Sequence, residues 1–363
     1  MKHTDKLLDS NPFLFTAETS KLFIDSFVET ASIHYSNNDY FRFLWDKKGL
    51  VPSDIKTEND LLNAPFILVN QFKYNDFKSS EEIVLTLGSS GTSGQRSVMH
   101  LDQISLDNVK KLAYSIHDSL GITSSRKYNY LCFTYDPAVA DDLGTAFTDE
   151  LLTNFTDKNE VYYTFQFDEA INDFAMNEQE IVATLKRFED SEYSTRILGF
   201  PAFLFDIIKK YDLNLNLGDD SWVQTGGGWK SKADQEIPKK EFRAFVSKHL
   251  GLPESNIRDL FGMVEHGIPY VDCKDGRLRV PNFARVIIRD PFTLEELADG
   301  EVGLIQFICT YNTSYPAMNI LTTDWGIKVK DEGISNYSLE IVGRAGINKN
   351  KGCALKALEL MGK

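Results

Sequence analysis

The chain has 363 residues, 42% hydrophobic and 25% charged, with 39 Lys+Arg against 53 Asp+Glu for a formal charge of −14. A field of that sign repels phosphate-rich partners, so no nucleic acid is expected, and with no apolar run of spanning length no membrane insertion either. The opening MKHTDKLLDSNPFLF lacks the apolar stretch of a signal peptide, and Cys132, Cys273, Cys309 and Cys353 are scattered without metal or disulfide spacing, so a reducing cytoplasm is the expected location.

Residues 1–75 read as mostly helical: LFIDSFVETASIHY repeats apolar side chains at helical spacing, and DYFRFLWDKKG ends on a helix stop. The pattern then turns to strand, loop and helix. EEIVLTL (81–87) reads as a strand, GSSGTSGQ as a loop, and LDNVKKLAYSIHDSLG as a helix with Leu106, Val109, Leu112, Ala113, Ile116 and Leu120 on one face. YNYLCFTY (128–135) and VYYTFQF (161–167) are strand candidates. Asn177 to Glu180 resembles a capping box ahead of EIVATLKRF. TRILGF, a helix from Pro201, and SWVQT before Gly226-Gly227-Gly228 follow. Beyond residue 277 the chain becomes strand-rich, with RLRVP, ARVIIRD, VGLIQFI, WGIKVK and YSLEIVG. Alternating strands and helices followed by a strand-rich section predict layered α/β architecture with a smaller β subdomain.

GSSGTSGQR (88–96) is the most informative segment. Its glycines free the backbone to turn, and its hydroxyls stand beside exposed N–H groups, as a polyphosphate cradle requires. A plain Gly/Ser turn has the same composition. The segment is neither GxxxxGK[ST] nor GxGxxG.

Ser89-Ser90-Gly91-Thr92-Ser93-Gly94 resembles the phosphate-binding signature of the adenylate-forming enzymes, with Gln95-Arg96 where that family usually continues Pro-Lys. Later segments follow the family's order. GGGWK (226–230) resembles its glycine turn against adenine. FGMVE (261–265) resembles its [YF]GxTE element, with Val264 in place of Thr. DGEVGLIQF (299–307), TTDWG (322–326) and IVGRAG (341–346) resemble its later strand, ribose and hinge elements. Taken singly, each has a structural reading: turn glycines, Asp324 as a turn acid, Glu265 as a solvated carboxylate.

The whole chain is similar to one branch, the acyl-protein synthetases (long-chain-fatty-acid–protein ligases) of the bacterial bioluminescence fatty acid reductase complex, and shares features with phenylacetate–CoA ligases. APFILVNQFKY, TGGGWK (225–230), NIRDLFGMVE, TSYPAMNILTTD and the late tripeptide Lys351-Gly352-Cys353 carry that likeness. The resemblance implies an adenylate-forming α/β fold. It also implies an adenylation domain over 1–340 (helical 1–75, α/β core 76–275, β-rich 276–340) and a short C-terminal arm over 341–363. By the same resemblance ATP and Mg²⁺ are the cofactors. Ser89, Ser90, Gly91, Thr92, Ser93, Gly94 and Arg96 would contact phosphates; Gly226, Gly227, Gly228, Phe261 and Gly262 the base; Asp324 the ribose; and Arg344 the nucleotide at the hinge. Glu265 would hold the metal and Cys353 would take the acyl group. Lys349, Lys351 and Lys356 near Cys353 favour its thiolate. Alternatively, Cys353 anchors an amphipathic tail helix with Leu355, Leu358 and Leu360.

The implied activity is ATP-dependent activation of a carboxylic acid, here a long-chain fatty acid. Acyl transfer to the Cys353 thiol and delivery to a reductase subunit would follow, with an acyl-transferase as a further implied partner. Two other readings share the motifs: an acyl- or aryl-CoA or carrier-loading ligase, and a degenerate nucleotide-binding subunit.

Overall fold

The computed structural model describes residues 2–89, 96–135, 148, 151–168, 173–229, 232, 235–330 and 337–344. The chain divides into two compact units. One comprises Met1–Ser119, Met263–Tyr270 and Leu278–Lys363; the other comprises Leu120–Gly262 and Val271–Arg277.

The first unit opens with helices α1 (Lys2–Leu8), α2 (Ala17–Asn37) and α3 (Asp39–Lys47). α2 starts where it does because Thr16 and Thr19 cap each other: the Thr19 N–H donates to Thr16 Oγ1 at 3.2 Å, and the Thr16 N–H to Thr19 Oγ1 at 2.8 Å. Phe23, Ile24, Phe27, Ala31 and His34 recur three and four residues apart and form its buried face. His34 is fully enclosed. Its Nε2 lies 3.0 Å from the Asn312 carbonyl oxygen and so carries the proton, leaving Nδ1 to accept from Ser79 Oγ at 2.8 Å.

Burial pushes the His34 pKa down to about 4, so the ring is neutral in the fold. An unfolded chain, with the ordinary value near 6.5, binds more protons between these limits. The resulting stability is complete above pH ~6.5 and is lost as pH falls toward the folded value. Denaturant titrations at pH 7 and pH 4.5 are therefore expected to differ by about 2 kcal/mol more in the native protein than in His34→Gln. An identical pH slope in the two proteins would refute the assignment.

The unit continues with β1 (Ile67–Leu68), α4 (Gln71–Tyr74), β2 (Leu85–Gly88), β3 (Val98–Leu101) and α5 (Gln103–Ser119). β2 and β3 pair antiparallel from Leu85↔Leu101 to Gly88↔Val98. The strand expected over 81–87 thus begins only at Leu85. Glu81 and Glu82 are exposed, and the ladder is first joined by the Val84 N–H on the Leu101 carbonyl, 2.9 Å.

The second unit holds β4 (Lys127–Tyr135), β5 (Asp157–Asp168), β6 (Asp173–Met176), α6 (Glu178–Glu189), β7 (Thr195–Gly199), α7 (Pro201–Lys210), β8 (Trp222–Gly226), α8 (Lys239–Leu250) and β9 (Ile257–Phe261). With β10 (Tyr270–Val271) the strands order as β10-β9-β8-β7-β4-β5-β6. Pairing is parallel from β5 through β4, β7 and β8 to β9, and antiparallel between β5 and β6. Asn177 caps α6 by accepting the Glu180 N–H at 3.2 Å, as its sequence suggested. Ile181, Leu185 and Phe188 of α6, Leu204, Ile207 and Ile208 of α7, and Phe242, Val246 and Leu250 of α8 bury their stripes against Leu131, Phe133, Ile197, Val223 and Ile257 of the strands.

The chain then returns to the first unit as β11 (Leu278–Arg279), β12 (Ala284–Arg289), β13 (Val302–Cys309), β14 (Asn319–Lys330) and β15 (Tyr337–Arg344). These form an antiparallel sheet in the order β11-β15-β14-β13-β12, with β1 parallel on β14. The strand expected for RLRVP contracts to two residues, since Pro281 has no N–H to give a ladder. No helix among the described residues is long and apolar enough to cross a membrane.

Candidate functional site

In the second unit, β8 and β9 are in register from Val223↔Ile257 to Gly226↔Leu260, so their carboxyl ends finish level. Gly226 closes β8; Gly227 (φ 73°) and Gly228 (φ 66°) then take left-handed conformations that side chains disfavour. Trp229 fixes the far end of this turn. It is buried, with its ring 5.5 Å from that of Phe205 and 6.2 Å from that of Phe242. Phe261 ends β9 half-buried, and Gly262 is exposed. The structure thus gathers Gly226, Gly227, Gly228, Phe261 and Gly262 at the carboxyl edge of parallel strands, where open α/β sheets bind ligands.

Behind this edge lies a polar cluster that the sequence did not announce. Thr225 and Asp259 are directly paired across β8 and β9, and Thr225 Oγ1 donates to Asp259 Oδ1 at 3.1 Å. The Asp259 N–H donates to Asp272 Oδ2 at 2.9 Å. Lys239 Nζ lies 3.0 Å and 3.3 Å from the two Asp272 oxygens and 3.7 Å from Asp259 Oδ2. Burial works against the Lys239 ammonium, but the carboxylates of Asp259 and Asp272 outweigh it and raise its pKa.

In the first unit, Glu265 sits in a turn closed by the His266 and Gly267 N–H groups on the Met263 carbonyl, at 3.1 Å and 2.9 Å. The turn is anchored on both sides. The His266 ring stacks on Phe307 with centroids 4.9 Å apart, and its Nε2 is 2.8 Å from Tyr270 Oη. Burial pushes the His266 pKa down to about 3, so it packs as a neutral ring. Gly267 (φ 73°) approaches Tyr311 so closely that a Cβ there would lie 1.9 Å from the hydroxyl oxygen.

Glu265 itself is 7% exposed and, among the described residues, has no hydrogen-bond or ion-pair partner. It is therefore not the solvated carboxylate that composition alone allows. A carboxyl group enclosed in this way, with no partner among the described residues, fits a cation supplied from outside. No group of three His, Cys, Asp or Glu among the described residues forms a metal cage. A single carboxylate suits Mg²⁺ that arrives with phosphate oxygens and retains its waters.

Ser89 closes the base of the glycine-rich segment: its N–H donates to the Ser97 carbonyl at 2.9 Å, and its Oγ accepts from the Ser97 N–H at 3.0 Å. Arg96 is exposed just before β3. Asp324 is not in a turn. It is buried within β14, where its N–H donates to Thr322 Oγ1 at 3.1 Å, next to a register shift at Trp325/Gly326. Its partner across the ladder is Arg344, the last residue of β15. Ser90, Gly91, Thr92, Ser93, Gly94 and Cys353 lie outside the described residues. Cys132, Cys273 and Cys309 are all buried, and burial pushes the Cys309 thiol up to about 12, leaving these as packing residues.

The fold is that of adenylate-forming ligases. A solved 2-hydroxyisobutyryl-CoA ligase, in the postadenylation state with R3-HIB-AMP, superimposes with a TM-score of 0.70 at 13% identity, over 92% of this chain and 69% of that one. The chain belongs to the acyl-protein synthetase (LuxE) family, whose model matches residues 2–361. It is 25% identical to the long-chain-fatty-acid–luciferin-component ligase of Aliivibrio fischeri over 99% of this chain and 94% of that protein. It is 26% identical to the Vibrio harveyi protein of the same name, over 89% and 83%.

Proposed function

We propose that the chain activates a long-chain fatty acid with ATP, holds the acyl group on the Cys353 thiol and delivers it to an acyl-accepting reductase, with an acyl-transferase as a further partner. The carboxylate oxygen attacks the α-phosphorus, the bond to the β-phosphate oxygen breaks, and pyrophosphate leaves. The thiolate of Cys353 then attacks the acyl carbon of the acyl-adenylate; the thioester forms and AMP leaves. The observation that carries this reading is Glu265, a buried carboxyl group that has no hydrogen-bond or ion-pair partner among the described residues.

Mg²⁺, when bound, would offset charge on the transferring phosphate. Glu265 would hold it, kept in place by the His266 and Gly267 contacts. Gly226, Gly227 and Gly228 leave room for a flat base beside Phe261, and Gly262 lets the chain pass it without a side chain. Asp324 would accept from the ribose hydroxyls, with Arg344 opposite it on β15. Ser89 and Arg96 bracket the 90–94 segment assigned to the phosphates. The family match and the two long-chain-fatty-acid ligases support the choice of substrate.

The test is ATP–pyrophosphate exchange across straight-chain and aromatic acids. Exchange driven by long-chain fatty acids is expected; exchange driven only by aromatic or short acids would overturn the choice of substrate.

A further inference from the structure

We propose that Asp259 and Thr225, braced by Lys239 and Asp272, are positioning residues that hold the glycine turn 226–228 and Phe261 in the geometry that receives the purine ring of ATP. The inference rests on the nucleotide assignment above and adds to it four residues to which the sequence reading gave no role.

A parallel pair such as β8 and β9 is bonded only along its ladder, and beyond Gly226 and Phe261 that ladder ends. Three glycines in succession make the exit of β8 the least constrained backbone on this edge. The last cross-strand side-chain tie before that exit is Thr225 to Asp259, one residue ahead of Gly226 and two ahead of Phe261. A slip or splay of β8 against β9 would move the turn away from the ring.

The tie is itself held. Asp259 is fixed at its backbone by two bonds with Asp272: the Asp259 N–H donates to Asp272 Oδ2, and the Asp272 N–H donates to the Asp259 carbonyl, both at 2.9 Å. Asp272 is fully buried and is balanced by Lys239 from the first turn of α8. Arg258 Nη1 adds a bond to the Asp272 carbonyl at 2.7 Å. A helix start, two strand ends and the segment after β10 are thus joined through the two carboxylates of Asp259 and Asp272. Ordinary packing on this face is already supplied by Val223 and Ile257 against the helices, so the polar chain adds alignment rather than core.

Thr225→Val removes the hydroxyl and keeps the volume. ATP affinity, measured by titration calorimetry on the full chain, is expected to fall about tenfold, the size of one well-placed hydrogen bond. In acid-dependent pyrophosphate exchange the KM for ATP should rise by the same factor, while kcat and the KM for the acid stay within about twofold. Thr225→Ser, which restores the donor, should return both to near native values. An unchanged ATP affinity in Thr225→Val, or a Thr225→Ser variant no better than Val, would overturn the inference. If Asp259→Asn folds poorly, the threonine pair still decides the matter. Native protein that binds ATP but shows no exchange with any acid would sink the ligase reading while leaving this one to be judged by calorimetry.

Discussion

Glu265→Gln is expected to lower fatty-acid-dependent pyrophosphate exchange by about a hundredfold or more, the usual cost of removing one charge-stabilising group from a reacting phosphate or acyl centre. The same change is expected to leave the unliganded protein as stable as before, or more so. The native carboxylate is buried and, among the described residues, unpaired, so neutralising it removes a desolvation penalty without creating a cavity. Activity and melting temperature should therefore move in opposite directions, the pattern of a group kept for function at the expense of stability. A variant with full exchange would show Glu265 to be structural. A variant that melts well below the native protein would point to a buried partner for it.

Cys353→Ser is expected to abolish ATP-dependent covalent labelling by radiolabelled hexadecanoate while leaving pyrophosphate exchange within about twofold of native. Adenylation is assigned to residues up to Arg344, and the acyl-accepting step to the thiol. Serine keeps the size of the side chain but has no thiolate near neutral pH. The other three cysteines are buried, so none is placed to substitute. Hydroxylamine at neutral pH should release the label from native protein. Persistence of a hydroxylamine-labile adduct in the variant would remove Cys353 from the reaction and favour a free thiol such as CoA or a carrier as acceptor.

Much of this was legible in the sequence, for reasons that differ between elements. α5 and α6 announced themselves through Val109, Leu112 and Ile116, and through Ile181, Leu185 and Phe188, because one face of each is apolar at helical spacing. α8 did not. Phe242, Val246 and Leu250 are spaced for a helix, but Lys239, Lys240 and the residues up to His249 dilute the stripe. β9 was seen only as a motif, since Ile257-Arg258-Asp259-Leu260-Phe261 places charge on both faces. Arg258 is nonetheless buried and bonded to carbonyl oxygens of Ser255 and Asp272, a pairing that only tertiary structure reveals.

The site divides in the same way. Glycines 226–228, Phe261 and Glu265 could be picked out as candidates because their residue types and order follow the motifs that the chain resembles. The contacts of Thr225, Lys239, Asp259, Asp272 and His266 could not, because they depend on strand register and burial. Asp324 lay between the two cases. Its identity was legible, but the expected turn proved to be the middle of a strand, since β14 runs unbroken in sequence from Asn319 to Lys330.

The most direct test of the central claim is a rapid-quench experiment with native protein, labelled hexadecanoate and ATP, following nucleotide and acyl products together. AMP and pyrophosphate are expected as the nucleotide products, with acyl-adenylate rising first and decaying into hydroxylamine-labile acyl-protein. Acyl-protein formed with release of ADP and phosphate, or formed with no acyl-adenylate preceding it, would contradict the account.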